Sequence, residues 1–199
     1  MSHRFQCDCG RLRGEIRQPR HAMRAVCYCR DCQTYAHLLR RAGQVLDAIG
    51  GTDVVATPAS NVAITAGREQ LACVSLSPRG LLRWYAACCG TPIANTPRDW
   101  KLPYVGLVHT CLRKPDPLES SFPRVEMRVN TKSAHGPVPR DASLAGKLHF
   151  ARMVLRLAGM RLGGAYRSTP LFSASGAPVA APRVAGREEV EAARSAAAA

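Results

Sequence analysis

Long apolar runs are missing from this sequence. No stretch approaches the roughly 20 apolar residues that a membrane-spanning helix needs, and none follows the charged N-terminal residues as in a secretory signal. We therefore predict a cytoplasmic protein without a transmembrane segment. Because a reducing compartment keeps thiols free, cysteines clustered there indicate metal binding or chemistry rather than disulfides.

Aromatic residues and runs of like charge are also scarce. Aromatics make up 6% of the 199 residues, and no run of five or more like charges marks a nucleic-acid arm. The net charge is nevertheless +14, with only four lysines among the 28 basic residues. A dispersed positive surface attracts anionic small molecules. Without a basic stretch that carries stacking residues, it predicts no specific nucleic-acid partner.

Short β-strand patterns occupy the first part of the chain. Runs rich in β-branched and aromatic residues alternate with Gly and Pro turns over residues 54–57, 62–65, 71–77, 81–87 and 104–112. Strands at this spacing predict a mainly β fold. We place this domain at residues 1–140.

The rest of the chain predicts a helix and a tail. Apolar residues recur every three or four positions over 142–162, at Leu144, Leu148, Ala151, Leu155, Ala158 and Leu162. We expect this stripe to dock an appended helix, residues 141–163, on the domain; a basic helix lying on a membrane surface is the alternative. Residues 164–199 are rich in Pro, Ala and Ser and predict a flexible tail.

Seven of the nine cysteines are clustered. Cys27, Cys29 and Cys32 offer three thiolates from a strand end and the turn after it. Zinc takes thiolates tetrahedrally, so three protein ligands leave one position open, as in catalytic zinc sites. Cys7 and Cys9 form a second pair, because residues i and i+2 of a strand point to the same side.

The pair formed by Cys7 and Cys9 needs partners from elsewhere, and Cys88-Cys89-Gly90 supplies them. Adjacent residues on a regular strand face opposite ways, so both sulfurs reach one metal only if the chain turns there, as Gly90 permits. Otherwise one of them ligates, and Cys89 is favoured over Cys88. Seven thiols match four plus three ligands and predict about two zinc ions per chain.

The remaining cysteines and two histidines favour structural roles. Cys73 and Cys111 each stand alone in an apolar strand pattern, where a free thiol packs as a small hydrophobe. His37 and His109 are candidates for a ligand or general base, although a lone histidine in an apolar segment is more often a hydrogen-bonded core residue.

The order of these motifs resembles a known family. Cys7-x-Cys9-Gly10 with Arg13-Gly14, then Cys27-x-Cys29-x-x-Cys32-Gln33, then a late Cys-Gly followed by Thr-Pro-Ile, is similar to the glutathione-dependent formaldehyde-activating enzyme and centromere protein V-like family. The resemblance spans roughly residues 4–113. The family has a cysteine three residues before the position of Cys89, where this chain has Ala86.

This resemblance implies an Mss4-like fold, a strongly bent β-structure, with two zinc sites. Cys7, Cys9 and Cys89 match structural ligands, and Cys88 stands in for the cysteine that Ala86 replaces. Cys27, Cys29 and Cys32 match the ligands of a catalytic zinc that binds the glutathione adduct of formaldehyde.

The leading hypothesis is a zinc-dependent carbon–sulfur lyase acting on a small thiol adduct such as that of glutathione. Arg24 and Arg30 lie close to the three ligands in sequence and are candidates for binding substrate carboxylates. No residue stands out as a general base. One alternative is a non-catalytic zinc scaffold for protein or nucleic-acid contacts, and another is a thiol redox protein that uses Cys29 and Cys32.

Overall fold

The computed structural model describes residues 2–139 and 144–198, except for the side chains of residues 144 and 145. The described residues form eleven strands: β1 His3–Gln6, β2 Arg13–Ile16, β3 Met23–Cys27, β4 Thr52–Pro58, β5 Val62–Ala66, β6 Leu71–Ser75, β7 Leu82–Ala86, β8 Pro92–Thr96, β9 Tyr104–Val108, β10 Met127–Val129 and β11 Pro182–Val184. The α-helices are α1 Arg30–Leu38, α2 Ala42–Val45, α3 His109–Leu112, α4 Leu144–Leu162 and α5 Arg187–Ala198. The prediction of a mainly β protein with a C-terminal helix is confirmed.

The strands form two sheets. Three strands, in the order β1-β2-β5, make a small antiparallel sheet. Eight strands make a larger sheet in the order β10-β3-β4-β9-β8-β7-β6-β11, in which only the two edge pairs are parallel. The main core includes Phe5 and Leu12 from the region of the small sheet and Trp84 and Leu107 from the large one, all almost fully buried.

The register of the large sheet places several polar side chains on one face. Arg83 pairs with Asn95, and Asn95 pairs with Gly106. Gly106 also pairs with Ala56 of β4. On the same strand, four residues before Ala56, Thr52 pairs with Cys27. Because directly paired residues and residues separated by an even number share a face, Cys27, Asn95 and Arg83 point to the same side of the sheet.

Helix α4 lies over this face at the β10 and β3 end of the sheet. Its Met153 and Leu157 pack against Met23, Ala56, Tyr104 and Met127. The predicted docking stripe is wrong, because Leu148, Leu155 and Leu162 remain 51%, 72% and 89% exposed. Apolar residues lie on several sides of this helix, so periodicity alone did not identify the side that packs. The first three residues of the predicted helix 141–163 and the predicted domain boundary at 140–141 lie outside the described residues.

The segment predicted as a flexible tail differs in the structure. Strand β11 pairs in parallel with β6, and Leu171 and Phe172 are buried in the main core. Helix α5 packs its Val190 against Tyr35 and Val74. The segment satisfies the backbone groups of an otherwise open sheet edge and buries its own apolar side chains there.

None of the described helices combines the length and the apolar character that crossing a membrane requires.

Candidate metal centres

Four thiols meet where the two sheets approach each other. The sulfur atoms of Cys7, Cys9, Cys88 and Cys89, the four-thiol group, lie within 4.8 Å of one another. The Sγ–Sγ distance is 3.2 Å for Cys9–Cys88, 3.5 Å for Cys7–Cys9 and 3.8 Å for Cys7–Cys88. A tetrahedral zinc ion with Zn–S bonds of about 2.3 Å holds its sulfurs about 3.8 Å apart. All four thiols are free, so their number, chemistry and spacing fit a closed zinc site.

The first half of this group comes from a turn. Strand β1 ends at Gln6, so Cys7 and Cys9 are not paired by strand alternation as we expected. Instead, the Gly10 N–H donates to the Cys7 carbonyl at 2.9 Å, and the Leu12 N–H donates to Cys7 Sγ at 3.3 Å. Backbone N–H groups aimed at a sulfur stabilise its thiolate form.

The second half comes from the turn between β7 and β8. Strand β7 ends at Ala86, and the Gly90 N–H donates to the Ala86 carbonyl at 2.7 Å. Gly90 has a φ of +70°, a left-handed conformation that glycine adopts without steric penalty. The turn predicted at Gly90 therefore brings the sulfurs of both Cys88 and Cys89 close to those of Cys7 and Cys9.

Hydrogen bonds from Arg41, a residue that sequence reasoning missed, join the two turns. One Arg41 nitrogen donates to Asp8 Oδ2 at 2.9 Å, and another donates to the Cys89 carbonyl. The Asp8 N–H donates to the Thr91 hydroxyl at 3.0 Å, and that hydroxyl lies 3.1 Å from Cys89 Sγ. Although burial acts against it, hydrogen bonds from Thr91 and the backbone lower the pKa of Cys89 to about 6.

Three further thiols meet at the start of α1. The sulfur atoms of Cys27, Cys29 and Cys32, the three-thiol group, also lie within 4.8 Å of one another. Cys27 is the last residue of β3, and Cys29 caps α1, where its Sγ accepts the Cys32 N–H at 3.4 Å. The positive end of the helix dipole favours thiolates at this position.

The thiols of the three-thiol group shift one another's pKa in opposite directions. Hydrogen bonds from Cys29 and Cys32 lower the pKa of Cys27 far below its ordinary value. The interaction with the Cys27 thiolate in turn raises the pKa of both Cys29 and Cys32. One negative charge is thus shared by three sulfurs. A divalent cation would let all three bind as thiolates.

A buried arginine lies beside this group. The side chain of Arg83 is 2% exposed, with one nitrogen 3.8 Å from Cys32 Sγ and 3.2 Å from Asn95 Oδ1. Its guanidinium also stacks over the Tyr35 ring at 5.2 Å. Burial opposes the charge, but the charge of Cys32 and the hydrogen bond to it raise the pKa of Arg83. Sequence reasoning missed this residue, although a lone cation within Leu81-Leu82-Arg83-Trp84-Tyr85 was a usable signal.

Two more side chains complete the surroundings. Asn130, in a left-handed conformation, donates its amide N–H to Cys27 Sγ at 3.4 Å. Tyr104 extends over Gly106, where an added Cβ would lie 2.6 Å from the phenolic oxygen. Burial and then the charges of the three thiols raise the pKa of Tyr104, so its hydroxyl stays protonated at neutral pH.

The two arginines predicted to bind substrate differ in their surroundings. Arg24 is bound to Asp53 at 2.7 Å and to the Phe122 carbonyl at 2.8 Å, with Glu119 at 3.5 Å. Arg30 is free of such contacts among the described residues. It lines a cavity of about 510 Å³ beside the start of α1, together with Gln33, Thr34, Lys132, Ser133, Ala134, His135, Arg194, Ala197 and Ala198.

Three of the four residues expected to be structural are buried. Cys73 and Cys111 are buried outside both thiol groups, and the Cys111 thiol donates to the Val108 carbonyl at 3.1 Å. His109 is buried, with Nδ1 3.0 Å from the Asp53 carbonyl. His37 is half-buried near the end of α1 and belongs to neither thiol group.

Comparisons with known proteins give a family but no activity. Residues 2–182 match the family of unknown function DUF6151. No curated protein matches the chain. A crystal structure of a Rhodobacter sphaeroides protein is similar, with 19% identity and a TM-score of 0.41 over 63% of this chain and 99% of the other. The match to the family extends from strand β1 to the start of β11 and includes all seven clustered cysteines. The chain therefore belongs to the DUF6151 family.

Proposed function

We propose that this chain is a zinc protein with one structural and one catalytic site. The observation that carries the proposal is the difference in donor number between its two thiol groups. Four thiols saturate a tetrahedral zinc ion, whereas three leave one position for an exogenous ligand. Cys7, Cys9, Cys88 and Cys89 would therefore hold the structural ion, and Cys27, Cys29 and Cys32 the catalytic one.

The ligand at the open position is proposed to be a small thiol or its aldehyde adduct, which makes the protein a carbon–sulfur lyase. This follows the sequence resemblance to the Mss4-like, glutathione-dependent formaldehyde-activating family. Bound zinc would lower the pKa of a thiol or hydroxyl and polarise a C–O or C–S bond. In adduct formation the S–C bond forms, the C=O π bond opens, and the oxygen gains the proton that the thiol loses. Cleavage is the reverse.

The chain's own residues supply charge balance and a hydrogen bond. Three thiolates and one divalent ion carry a net charge of −1, which the buried Arg83 guanidinium beside Cys32 offsets. Tyr104 keeps its proton at Oη and points toward the sheet face that also carries Cys27. This hydroxyl is the described candidate for donating a hydrogen bond to the adduct oxygen.

The cavity beside the start of α1 suits an anionic thiol. Arg30, Lys132 and Arg194 line it, and no carboxylate is among its described lining residues. Glutathione-type thiols carry carboxylates, which arginine and lysine bind well. Since Arg24 is held by Asp53, Arg30 is the stronger of the two predicted substrate ligands.

Metal counts and thiol binding test this proposal together. Purified protein should contain about two zinc ions per chain and bind glutathione by calorimetry. It should also accelerate exchange between glutathione, formaldehyde and their adduct, as followed by NMR. Tyr104→Phe should slow exchange while leaving zinc content unchanged. If the protein holds two zinc ions but neither binds glutathione nor accelerates the exchange, the alternative holds, and it is a non-catalytic zinc scaffold. That alternative gains support from the burial of Cys32, which restricts access to the group.

A further inference from the structure

Helix α4 exposes a continuous apolar ridge. At about 100° per residue, positions seven apart lie nearly in line, so Leu148, Leu155 and Leu162 form one row opposite the buried Met153. These leucines are 51%, 72% and 89% exposed, whereas Met153 is 6% exposed. The row runs for about 21 Å along the helix.

Further exposed apolar side chains lie on the flank of α4 between this ridge and the side that packs on the sheet. Phe150 and Val154 of α4 are 41% and 46% exposed, and Leu102 beside them is 44% exposed. With these, six of the eight large apolar side chains that are exposed among the described residues lie on or next to α4. Concentrated exposed apolar surface of this kind marks a site of association rather than ordinary solvent exposure.

Charge on α4 has one sign. The helix carries Lys147, Arg152, Arg156 and Arg161 and no acidic residue. By the same helical geometry, Arg152 and Arg156 flank the leucine row on one side and Lys147 flanks it on the other, whereas Arg161 is paired with Asp99 at 2.7 Å. Long basic side chains beside an apolar row can extend toward a polar layer while their stems cover apolar surface.

A basic cavity of about 920 Å³ opens along the Arg152 and Arg156 side. It is lined by Arg20, His21, Arg124, Glu126, His149, Arg152, Met153, Leu155 and Arg156. Glu126 is the one carboxylate among these residues, and its Oε2 lies 2.6 Å from His149 Nδ1. Arg156 instead contacts His21 Nδ1 at 2.9 Å, an interaction that brings no counter-charge. Four guanidinium groups therefore surround a cavity with one carboxylate.

We propose that the outer face of α4 docks on an anionic lipid bilayer, with the helix lying in the plane of the interface. The leucine row would enter the boundary of the acyl chains, and the arginines of the cavity would bind headgroup phosphates. A free phosphate ligand would use the cavity but leave the ridge exposed to water. A bilayer is the partner that presents an apolar layer directly beneath a layer of anions, as this surface requires.

The test uses the full, zinc-loaded chain and sedimentation with lipid vesicles. Vesicles of phosphatidylcholine alone should bind little protein, and vesicles with equal parts phosphatidylcholine and phosphatidylglycerol should bind most of it. Leu155→Ser should weaken binding about tenfold, because it removes one large apolar group that would leave water for the acyl-chain boundary. Arg152→Gln should weaken binding about fivefold and reduce its salt dependence.

Two matched variants lie at the far edge of the sheet. Val184→Ser changes an apolar residue on β11 that is 45% exposed, and Arg187→Gln removes one positive charge at the start of α5. Both should bind vesicles as the unaltered chain does. Since the altered residues are exposed, thermal melts and zinc contents should be the same for all four variants.

Three results would overturn the proposal. The first is equal binding to both kinds of vesicle, or equal weakening by Leu155→Ser and Val184→Ser. The second is tight binding of inorganic phosphate or pyrophosphate by calorimetry together with no vesicle binding, which would make the cavity a site for a soluble anion. The third is a dimer in analytical ultracentrifugation that Leu155→Ser dissociates, which would assign the ridge to a second copy of the chain.

Discussion

The Arg83 guanidinium lies 3.8 Å from Cys32 Sγ, although the two residues are 51 positions apart in the chain. The contact is formed because β7 carries Arg83 across the sheet to the start of α1. A buried cation next to three thiols lowers the electrostatic penalty of gathering their negative charges. It also ties the proposed catalytic zinc site to the centre of the large sheet.

Replacing this arginine should weaken one metal site selectively. We expect Arg83→Met to lower the zinc affinity of the three-thiol group about 10- to 100-fold, the range found when groups that support metal ligands are removed. Competition with a chromogenic chelator measures the affinity of both sites. Arg24→Met is the matched control, because Arg24 is also largely buried in the same sheet but contacts Asp53 and Glu119, whereas Arg83 contacts Cys32 and lies 3.9 Å from Asp31. Equal weakening by the two variants would indicate a general loss of stability and not charge balance.

Cysteine substitutions should separate the two thiol groups. Cys9→Ser removes a ligand from the closed group, whose binding energy contributes to folding, and should lower the free energy of unfolding by several kcal/mol. Cys29→Ser should leave a folded protein that retains about one zinc ion and loses affinity for glutathione. Elemental analysis, thermal melts and calorimetry give these quantities. Cys73→Ala, a buried cysteine outside both groups, should keep about two zinc ions. Similar loss of stability in the Cys9 and Cys29 variants would mean that both sites are structural.

The C-terminal segment should contribute to stability. Phe172 is 7% exposed, and its ring packs edge-on against Trp84 at 6.1 Å. We expect Phe172→Ala to lower the free energy of unfolding by about 4 kcal/mol in urea titrations. Leu162→Ala, at an 89% exposed position, should change it by less than about 0.5 kcal/mol. A Phe172→Ala effect as small as that of Leu162→Ala would restore the prediction of a flexible tail.

Acid should destabilise the fold through His109. Burial and the positive charge of Arg113 lower its pKa below the ordinary 6.5, so the folded state holds a neutral imidazole. In the unfolded state His109 gains a proton near pH 6.5. The stability that depends on a neutral imidazole is therefore present above that pH and is lost as the pH falls toward the folded-state pKa. Urea titrations should therefore show a steeper fall for the unaltered protein than for His109→Gln between about pH 7.5 and 5.5. Zinc content measured at each pH separates this effect from metal loss, and parallel slopes for the two proteins would contradict it.

Local sequence spacing was sufficient to predict which cysteines gather in the thiol groups. Cys27, Cys29 and Cys32 fall within six residues, so a strand end and one helical turn bring them together whatever the rest of the fold does. The partnership of Cys88 with Cys89 was also foreseeable, because Gly90 favours the turn that both need. The strand geometry expected for Cys7 and Cys9 was wrong, because the chain turns directly after Gln6.

Non-local contacts could not be predicted in this way. The partner of Arg83 depends on strand order, and β11 is a three-residue strand that pairs with β6, more than 100 positions earlier in the chain. The side of α4 that packs was misassigned because both Met153 and Leu155 lie on apolar rows, and only the shape of the sheet beneath selects one. The sequence thus predicted which residues have metal-binding chemistry better than it predicted their surroundings.

The positions of the two thiol groups along the chain affect the order in which the protein can acquire metal. During synthesis from the N-terminus, the three-thiol group is complete as soon as Cys32 has been made, and it needs only local structure. The four-thiol group must wait, because Cys7 and Cys88 are separated by 81 positions and meet only after the large sheet has begun to form. One site can therefore load on the growing chain, whereas loading of the other reports that the two sheets have come together.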